Sequence, residues 1–339
     1  MKRFLGLISF FVMTLMYATA QSVEIGGLKY YLYADTYKAD VASGNIWSGE
    51  LIIPSEITYD GQAYEVNGIS CVAFLDSDKL TKVRLPRTIK SITPYVYNNN
   101  GRTAVSPFNM NPFVRCISLE SIDVDDENPS FCSIDGVLFN KEKTQLCAYP
   151  AGLKRENYTI PEDVTFIGQG AFAYNYYISN LTMPNSVTNM YGHICSNCTN
   201  LKTIKLSERI TFIDSFSFEK CESLQLLDIP ESVSLLGGGI IRWSGIKTLI
   251  IRGTFPQGVF EETFYDVDNE LVVYVQPSEI EKFKQVFSGT VLPLDEYTGI
   301  DKINKDRFSS NPLFDLQGRR LNGKPAKGMY IQNGKKYVK

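Results

Sequence analysis

The chain has 339 residues, 44% of them hydrophobic, with 34 basic and 37 acidic side chains and a single histidine. That length allows a sizeable core, and with a formal net charge of −3 a nucleic-acid or membrane reading attaches only to the basic C-terminal tail, where a structural reading is preferred. One imidazole also confines any mechanism that needs a histidine base to the neighbourhood of His193.

Lys2 and Arg3, an apolar run from Phe4 to Tyr17 and the small-residue triplet Ala18-Thr19-Ala20 predict a secretory signal peptide over residues 1–20, with Gln21 as the mature N-terminus. The run is shorter than the roughly 20 residues a membrane span requires, and no later segment is long and apolar enough, so the chain is expected not to span a membrane. Val23 to Val41, rich in Tyr and β-branched residues around Gly26-Gly27, reads as a hairpin capping a repeat array within residues 21–50.

Ile53-Pro54 begins the first recognisable turn of that array, which is expected over residues 51–297. Between Leu85 and Val124, and again between Val124 and Ile160, the interval stretches to 39 and 36 residues. Insertions are therefore expected near 95–112 and 128–150, outside the strand ladder, where solenoids often carry binding residues. Asn98-Asn99-Asn100-Gly101 marks a loop in the first. The second has two strand-like runs, Ser133 to Asn140 and Gln145 to Pro150.

From 158 to 251 the pattern becomes regular. Ile160, Met183, Leu206, Ile229 and Ile251 recur at intervals of 23, 23, 23 and 22, and all but Leu206 and Ile251 precede a proline. Val164, Val187, Ile210 and Val233 stand four residues on, and Ile167, Met190, Ile213 and Leu236 seven on. A fixed period in the twenties marks a solenoid, whose units bury their apolar sides only against neighbours. Leu201, Ile204 and Leu206 alternate with Thr203 and Lys205 as a short half-buried strand.

The recurring I-P, V, I-G, A-F and C-x-x-L elements, seen in Ile160-Pro161, Ile167-Gly168, Ala171-Phe172, Cys198 to Leu201 and Cys221 to Leu224, resemble the BspA-type leucine-rich repeats of Bacteroidetes surface proteins. Asp135-Gly136-Val137-Leu138-Phe139 ahead of Tyr149-Pro150 is similar to a segment inside those arrays, and the likeness covers roughly residues 23–295. The expected fold is thus a β-rich solenoid: a right-handed leucine-rich-repeat array with a period of about 23 residues, an N-terminal hairpin cap and a small C-terminal β segment. The resemblance implies a secreted or cell-surface adhesion protein, not an enzyme, whose partner is a host matrix or bacterial surface protein.

Beyond Ile251 the period loosens, and Ile280, Phe283 and Phe287 at helical spacing predict a short helix closing the array. The tail differs in charge. Residues 300–339 carry ten basic side chains against three acidic, net +7, whereas residues 21–299 carry 22 against 34, net −12. Strand-like runs broken by glycine turns, with Asn333-Gly334 a hairpin signal, make 298–339 a basic β segment that resembles a sorting-type tail.

Candidate chemistry is thin. His193, Cys195, Cys198 and Cys221 have zinc-ligand types, but three of them fall on repeat positions, as does Cys116, so no metal site is expected. Cys198 with Cys221, or Cys132 with Cys147, are alternative disulfides to free core thiols in an exported chain. Asp123, Asp125, Asp126 and Glu127 lack the Gly and Glu of a calcium loop and read as a solvated acidic loop. His193 reads as a surface residue. No cofactor is implied.

The candidate partner surface is the outward side of the strands: Arg84, Asp123, Thr182, Lys205, Asp228 and Ile250 in one column, Thr203, Leu226 and Thr248 in its companion, with Trp243 nearby. Its C-terminal end is the more apolar, and exposed apolar patches on solenoids mark partner sites. A glycan-binding accessory of the envelope, drawing on 20 Tyr and 2 Trp, is the alternative, and a purely structural envelope component the third.

Overall fold

A computed structural model describes residues 21–93, 95–98, 101–104, 111–259 and 261–297, together with strand residues 313–314, 320–321, 329–332 and 335–338. The expected signal peptide lies outside the described residues. Strands β1 (Gln21–Ile25) and β2 (Leu28–Tyr33) form an antiparallel hairpin about Gly26 and Gly27. Both glycines have positive φ, 61° and 80°, the backbone that a two-residue hairpin turn requires. β3 (Lys38–Val41) continues antiparallel to β2 and then runs parallel to β6 (Gln62–Ser70), so the hairpin is hydrogen-bonded into the first coil.

Two parallel ladders begin there. β4 (Ser48–Ile52) pairs with β7 (Lys79–Leu85), while β5 (Glu56–Tyr59) and β8 (Ser91–Thr93) flank β6. In the first insertion β9 (Tyr95–Asn98) and β10 (Gly101–Ala104) are antiparallel strands with Asn98 opposite Gly101; Asn99 and Asn100 of the expected loop lie outside the described residues. β11 (Ser121–Val124) extends the β4–β7 ladder in parallel.

The second insertion departs from expectation. β12 (Phe131–Ile134), β13 (Val137–Asn140) and β14 (Gln145–Ala148) form an antiparallel meander, and β14 pairs in parallel with β16 (Phe166–Ile167). The insertion therefore supplies a rung of the ladder. Its alternating apolar residues explain why: Val137, Phe139 and Leu146 enter the C-terminal core, and Leu138, Cys147 and Ala148 enter the N-terminal one. A strand with two apolar faces is stable only between two cores, and this meander joins them.

The regular block then repeats. β15 (Asn157–Thr159), β17 (Asn180–Thr182) and β19 (Thr203–Lys205) pair in parallel, with Asn157 opposite Asn180 and Asn180 opposite Thr203. β16 pairs with β18 (Asn189–Met190), and β20 (Phe212–Ile213) with β22 (Leu235–Leu236). β21 (Leu226–Ile229), β23 (Thr248–Ile251), β24 (Val272–Val275) and β25 (Thr290–Pro293) make the last ladder. Leu206 is buried and Lys205 exposed, as the alternation requires.

The helix expected from the spacing of Ile280, Phe283 and Phe287 shrinks to α1 (Ile280–Phe283), and it does not close the array, because β25 follows it and pairs with β24. Gly289 breaks the helical pattern and Thr290-Val291 favours extended backbone. The tail contributes β26 (Leu313–Phe314), β27 (Arg320–Leu321), β28 (Met329–Gln332) and β29 (Lys335–Val338), an antiparallel sheet in the order β27-β26-β28-β29.

Candidate interaction surfaces

Strand alternation sends one set of side chains outward. Arg84, Thr203, Lys205 and Leu226 are exposed, and Asp123, Thr182, Asp228 and Thr248 half-buried. Ile250 is the exception, buried to 1% exposure. It lies in register between Asp228 and Tyr274, and Tyr297, which follows β25, brings its ring to 5.1 Å from that of Tyr274. The chain thus folds back over this column, which the strand pattern alone does not reveal.

Two carboxylates of the column are engaged. Asp123 accepts from the Ser121 hydroxyl at 2.5 Å and from Lys82 Nζ at 2.9 Å. Burial pushes its pKa up, but these two partners prevail and hold the carboxyl below its ordinary value. Asp228 takes a bidentate pair from Arg252, Nε to Oδ1 at 2.7 Å and the terminal nitrogen to Oδ2 at 2.5 Å.

A second surface has no counterpart in the sequence pattern. Gly170, His193, Phe216 and Gly239 all have left-handed φ, between 57° and 65°, as do Tyr174, Asn197, Lys220, Trp243 and Asp266, between 52° and 63°. Each residue of a set stands 23 positions after the last. The backbone N–H of Tyr174 donates to Ser196 O at 2.9 Å, Asn197 to Glu219 O at 2.8 Å, Lys220 to Arg242 O at 2.9 Å and Trp243 to Asp266 O at 2.8 Å. A left-handed non-glycine residue costs about 1–2 kcal/mol. At Tyr174, Asn197, Lys220 and Trp243 the inter-coil hydrogen bond offsets it, so side-chain identity is free to vary, and the column leaves no mark in the sequence pattern.

The outer edge of these turns forms a ridge of charged and aromatic groups. Trp243 is 45% exposed, with the Arg242 guanidinium 3.5 Å from its ring centroid and Lys220 Nζ at 5.0 Å. Arg242 also lies 4.5 Å from the Tyr265 ring and 3.2 Å from Asp266. Trp243 therefore belongs to the turn ridge and not to the strand columns of Leu226 and Thr248.

Six copies of the BspA type Leucine rich repeat region are matched by the model of that family, over residues 55–145 and 148–269. The chain belongs to this family. Among solved structures it is similar to the pneumococcal vaccine antigen PcpA, at 17% identity over 81% of this chain and 99% of that one, with a TM-score of 0.49. It is also similar to a leucine rich cell surface protein from Faecalibacterium prausnitzii, at 18% identity over 80% and 99%, TM-score 0.46. A leucine-rich repeat protein from Bacteroides ovatus shares 21% identity over 79% and 66%, TM-score 0.41. No curated protein matches.

A further stripe lies on the second ladder of the BspA-type array. Phe166 and Tyr191 have ring centroids 4.8 Å apart, Tyr191 and Phe212 5.9 Å, and Leu235, at the next register position, is 42% exposed. Sequence spacing hid this stripe because Tyr191 stands two residues past the ring position that Asn189 occupies. At the N-terminal end, two grooves of about 710 and 510 Å3 meet at Ile52, itself 72% exposed.

In the acidic run beside the larger groove Asp126 and Glu127 are exposed, whereas Asn128, which follows them, is fully buried. Among the described residues no group of three or more ligating side chains is placed to hold a metal. The seven cysteines are free thiols, and the repeat explains three of them: Cys116 Sγ donates to Phe74 O at 3.1 Å, Cys198 to Phe172 O at 3.1 Å and Cys221 to Cys195 O at 3.2 Å. Burial pushes the Cys116 and Cys147 thiols up to about 12.

His193 is not a simple surface residue. It is half-buried, in left-handed backbone with φ 58°, and its ring stacks on Phe216 at 5.1 Å. Burial lowers its pKa below the ordinary value, against the opposing pull of Glu219 and Asp214. A folded-state pKa below the unfolded one means stability present above about pH 6.5 and lost as pH falls through the folded value. Thermal midpoints at pH 7.5 and 5.5 should therefore converge in His193→Phe relative to the parent; an unaltered pH dependence would refute the assignment.

Proposed function

We propose that this is a non-catalytic, exported binding protein, acting at the cell surface, outside the cell or in the periplasm, that recognises a protein partner through the outward side chains of its repeats. The leader at 1–20, cap at 21–50, array at 51–297 and tail at 298–339 are its proposed divisions. One observation carries the reading: Trp243, Arg242 and Tyr265 stand together on the ridge. Trp, Tyr and Arg dominate the energetic centres of protein interfaces. Stacking against Trp243 already restricts Arg242, which reduces the ordering cost of binding. Arg84, Asp123, Thr182, Thr203, Lys205, Leu226, Asp228 and Thr248 would form the polar surround. Ile250, being buried, is no longer part of this surface.

The partner class is a host matrix or bacterial surface protein. Binding of the chain to immobilised matrix proteins and to bacterial surface proteins should be saturable. Trp243→Ala should weaken it at least about tenfold, the size of an interface anchor, without moving the thermal midpoint by more than a few degrees. Equal binding by the variant would exclude the ridge. The Phe166, Tyr191 and Phe212 stripe, bordered by Thr165 and Thr188, supports glycan stacking as a second reading. A glycan array decides between them, since protein recognition predicts a blank.

A further inference from the structure

The C-terminal end of the array is left open in two respects. β25 is the terminal strand of the last ladder among the described residues, with one edge unpaired there. The final stretch, residues 253–297, also carries nine acidic side chains against two basic, net −7. Those two bases, Lys282 and Lys284, are taken by Glu279 and Glu281 within the same stretch, at 2.8 and 3.0 Å. Of the remaining acids, Glu270 meets Lys247 and Asp266 meets Arg242, both from the preceding coil. Glu262, Asp268 and Glu296 thus find no basic side chain within their own stretch that is not already engaged.

The segment that follows in sequence has the opposite charge, net +7 over residues 300–339. Its starting point is also fixed. Tyr297 lies with its ring against Tyr274 on the outward face of the last ladder, next in register to buried Ile250, so the chain enters the tail already turned back over that face. Sixteen residue steps separate Tyr297 from Leu313, a reach of at most about 55 Å, and tethering at that length holds the tail at millimolar effective concentration.

We infer that the basic C-terminal segment docks in the same molecule on the terminal coil of the array and its free edge, with its Lys and Arg side chains on the exposed carboxylates of residues 253–297. The occupant is set by charge complementarity and by the path of the chain at Tyr297. The tail then serves as the electrostatic cap of the solenoid end, the counterpart of the hairpin that covers the first coil. Solvent-exposed charge pairs of this kind are screened at molar salt, where the Debye length falls to about 3 Å.

The full chain, mixed from nitrogen-14 and nitrogen-15 preparations, would be treated with a zero-length carbodiimide cross-linker and its peptides read by mass spectrometry. Expected are links from Lys302, Lys305, Lys324 and Lys327 to Glu262, Asp268 and Glu296, within single-isotope molecules. They should exceed links to Asp125 and Glu127 at least tenfold and lose that preference in 1 M sodium chloride. The double variant Glu262→Lys, Asp268→Lys should deplete links to Glu296 as well. Links spread evenly over the acids, a preference unmoved by salt, or links only between isotopes would overturn the proposal.

Discussion

Phe172→Ala is expected to lower stability by about 3–5 kcal/mol, the cost of truncating a fully packed aromatic. The ring is wholly buried, 5.1 Å from Tyr149 and 5.9 Å from Tyr158, which are 4.8 Å from each other. Its backbone is equally committed: the N–H donates to Ile194 O at 2.9 Å and the carbonyl accepts the Cys198 thiol at 3.1 Å. Tyr149 follows the meander and Tyr158 starts the regular block, so the cavity would open where the insertion meets the repeats. Solenoid stability is a sum of nearest-neighbour terms, and urea unfolding of the variant should split into two transitions as coils on either side of the cavity uncouple. Lys205→Ala, on the exposed side, should stay within about 0.5 kcal/mol. A parental, single transition for Phe172→Ala would refute this packing.

The second large effect is expected at Asn128, directly after the acidic run that composition presents as a solvated loop. Asn128 is fully buried; its Nδ2 donates to Pro86 O at 2.8 Å and Ile89 O at 2.9 Å, and its Oδ1 accepts from the N–H groups of Ser130 and Phe131, each at 2.8 Å. One side chain thereby ties the entrance of the meander to the preceding coil. Asn175 does the same a coil later, donating to Pro150 O at 3.0 Å and accepting from Tyr177 and Ile178. Asn128→Ala strands two carbonyls and two amides at about 1–3 kcal/mol for each buried group left unmet, so a loss of about 3 kcal/mol or more is expected in chemical denaturation. Asn128→Asp keeps both acceptor bonds but turns a carboxylate toward two carbonyls, which raises its folded-state pKa. Its stability should be fullest below pH about 4 and fall as pH rises, whereas a loss under 1 kcal/mol for Asn128→Ala would show the site to be solvated.

Much of this was legible from residue spacing. Ile160, Met183 and Ile229 are buried at the expected positions, and Gly26-Gly27 turns the cap hairpin. The family follows from the same recurrence. Other features were not, for reasons that differ. The 128–150 stretch lacks the period and so reads as an excursion, yet its two apolar faces need two cores, and β14 becomes a rung. Asn128 is polar and beside acids, so only its four hydrogen bonds reveal it as buried. Trp243 was singled out for size and exposure, but its place on the turn ridge depends on left-handed backbone that Tyr, Asn, Lys and Asp adopt equally well at this position.

The sequence by itself determined the repeat, the inward columns and the opposed charges of array and tail, because burial demands apolar side chains at fixed intervals and charge is written residue by residue. Tertiary structure decided the outward surfaces. Whether Ile250 is covered, whether Phe166, Tyr191 and Phe212 meet, and which side chains crown the ridge depend on contacts between coils some 23 residues apart. Those contacts are fixed mainly by backbone hydrogen bonds, which every residue but proline can donate and which therefore leave almost no trace in residue type.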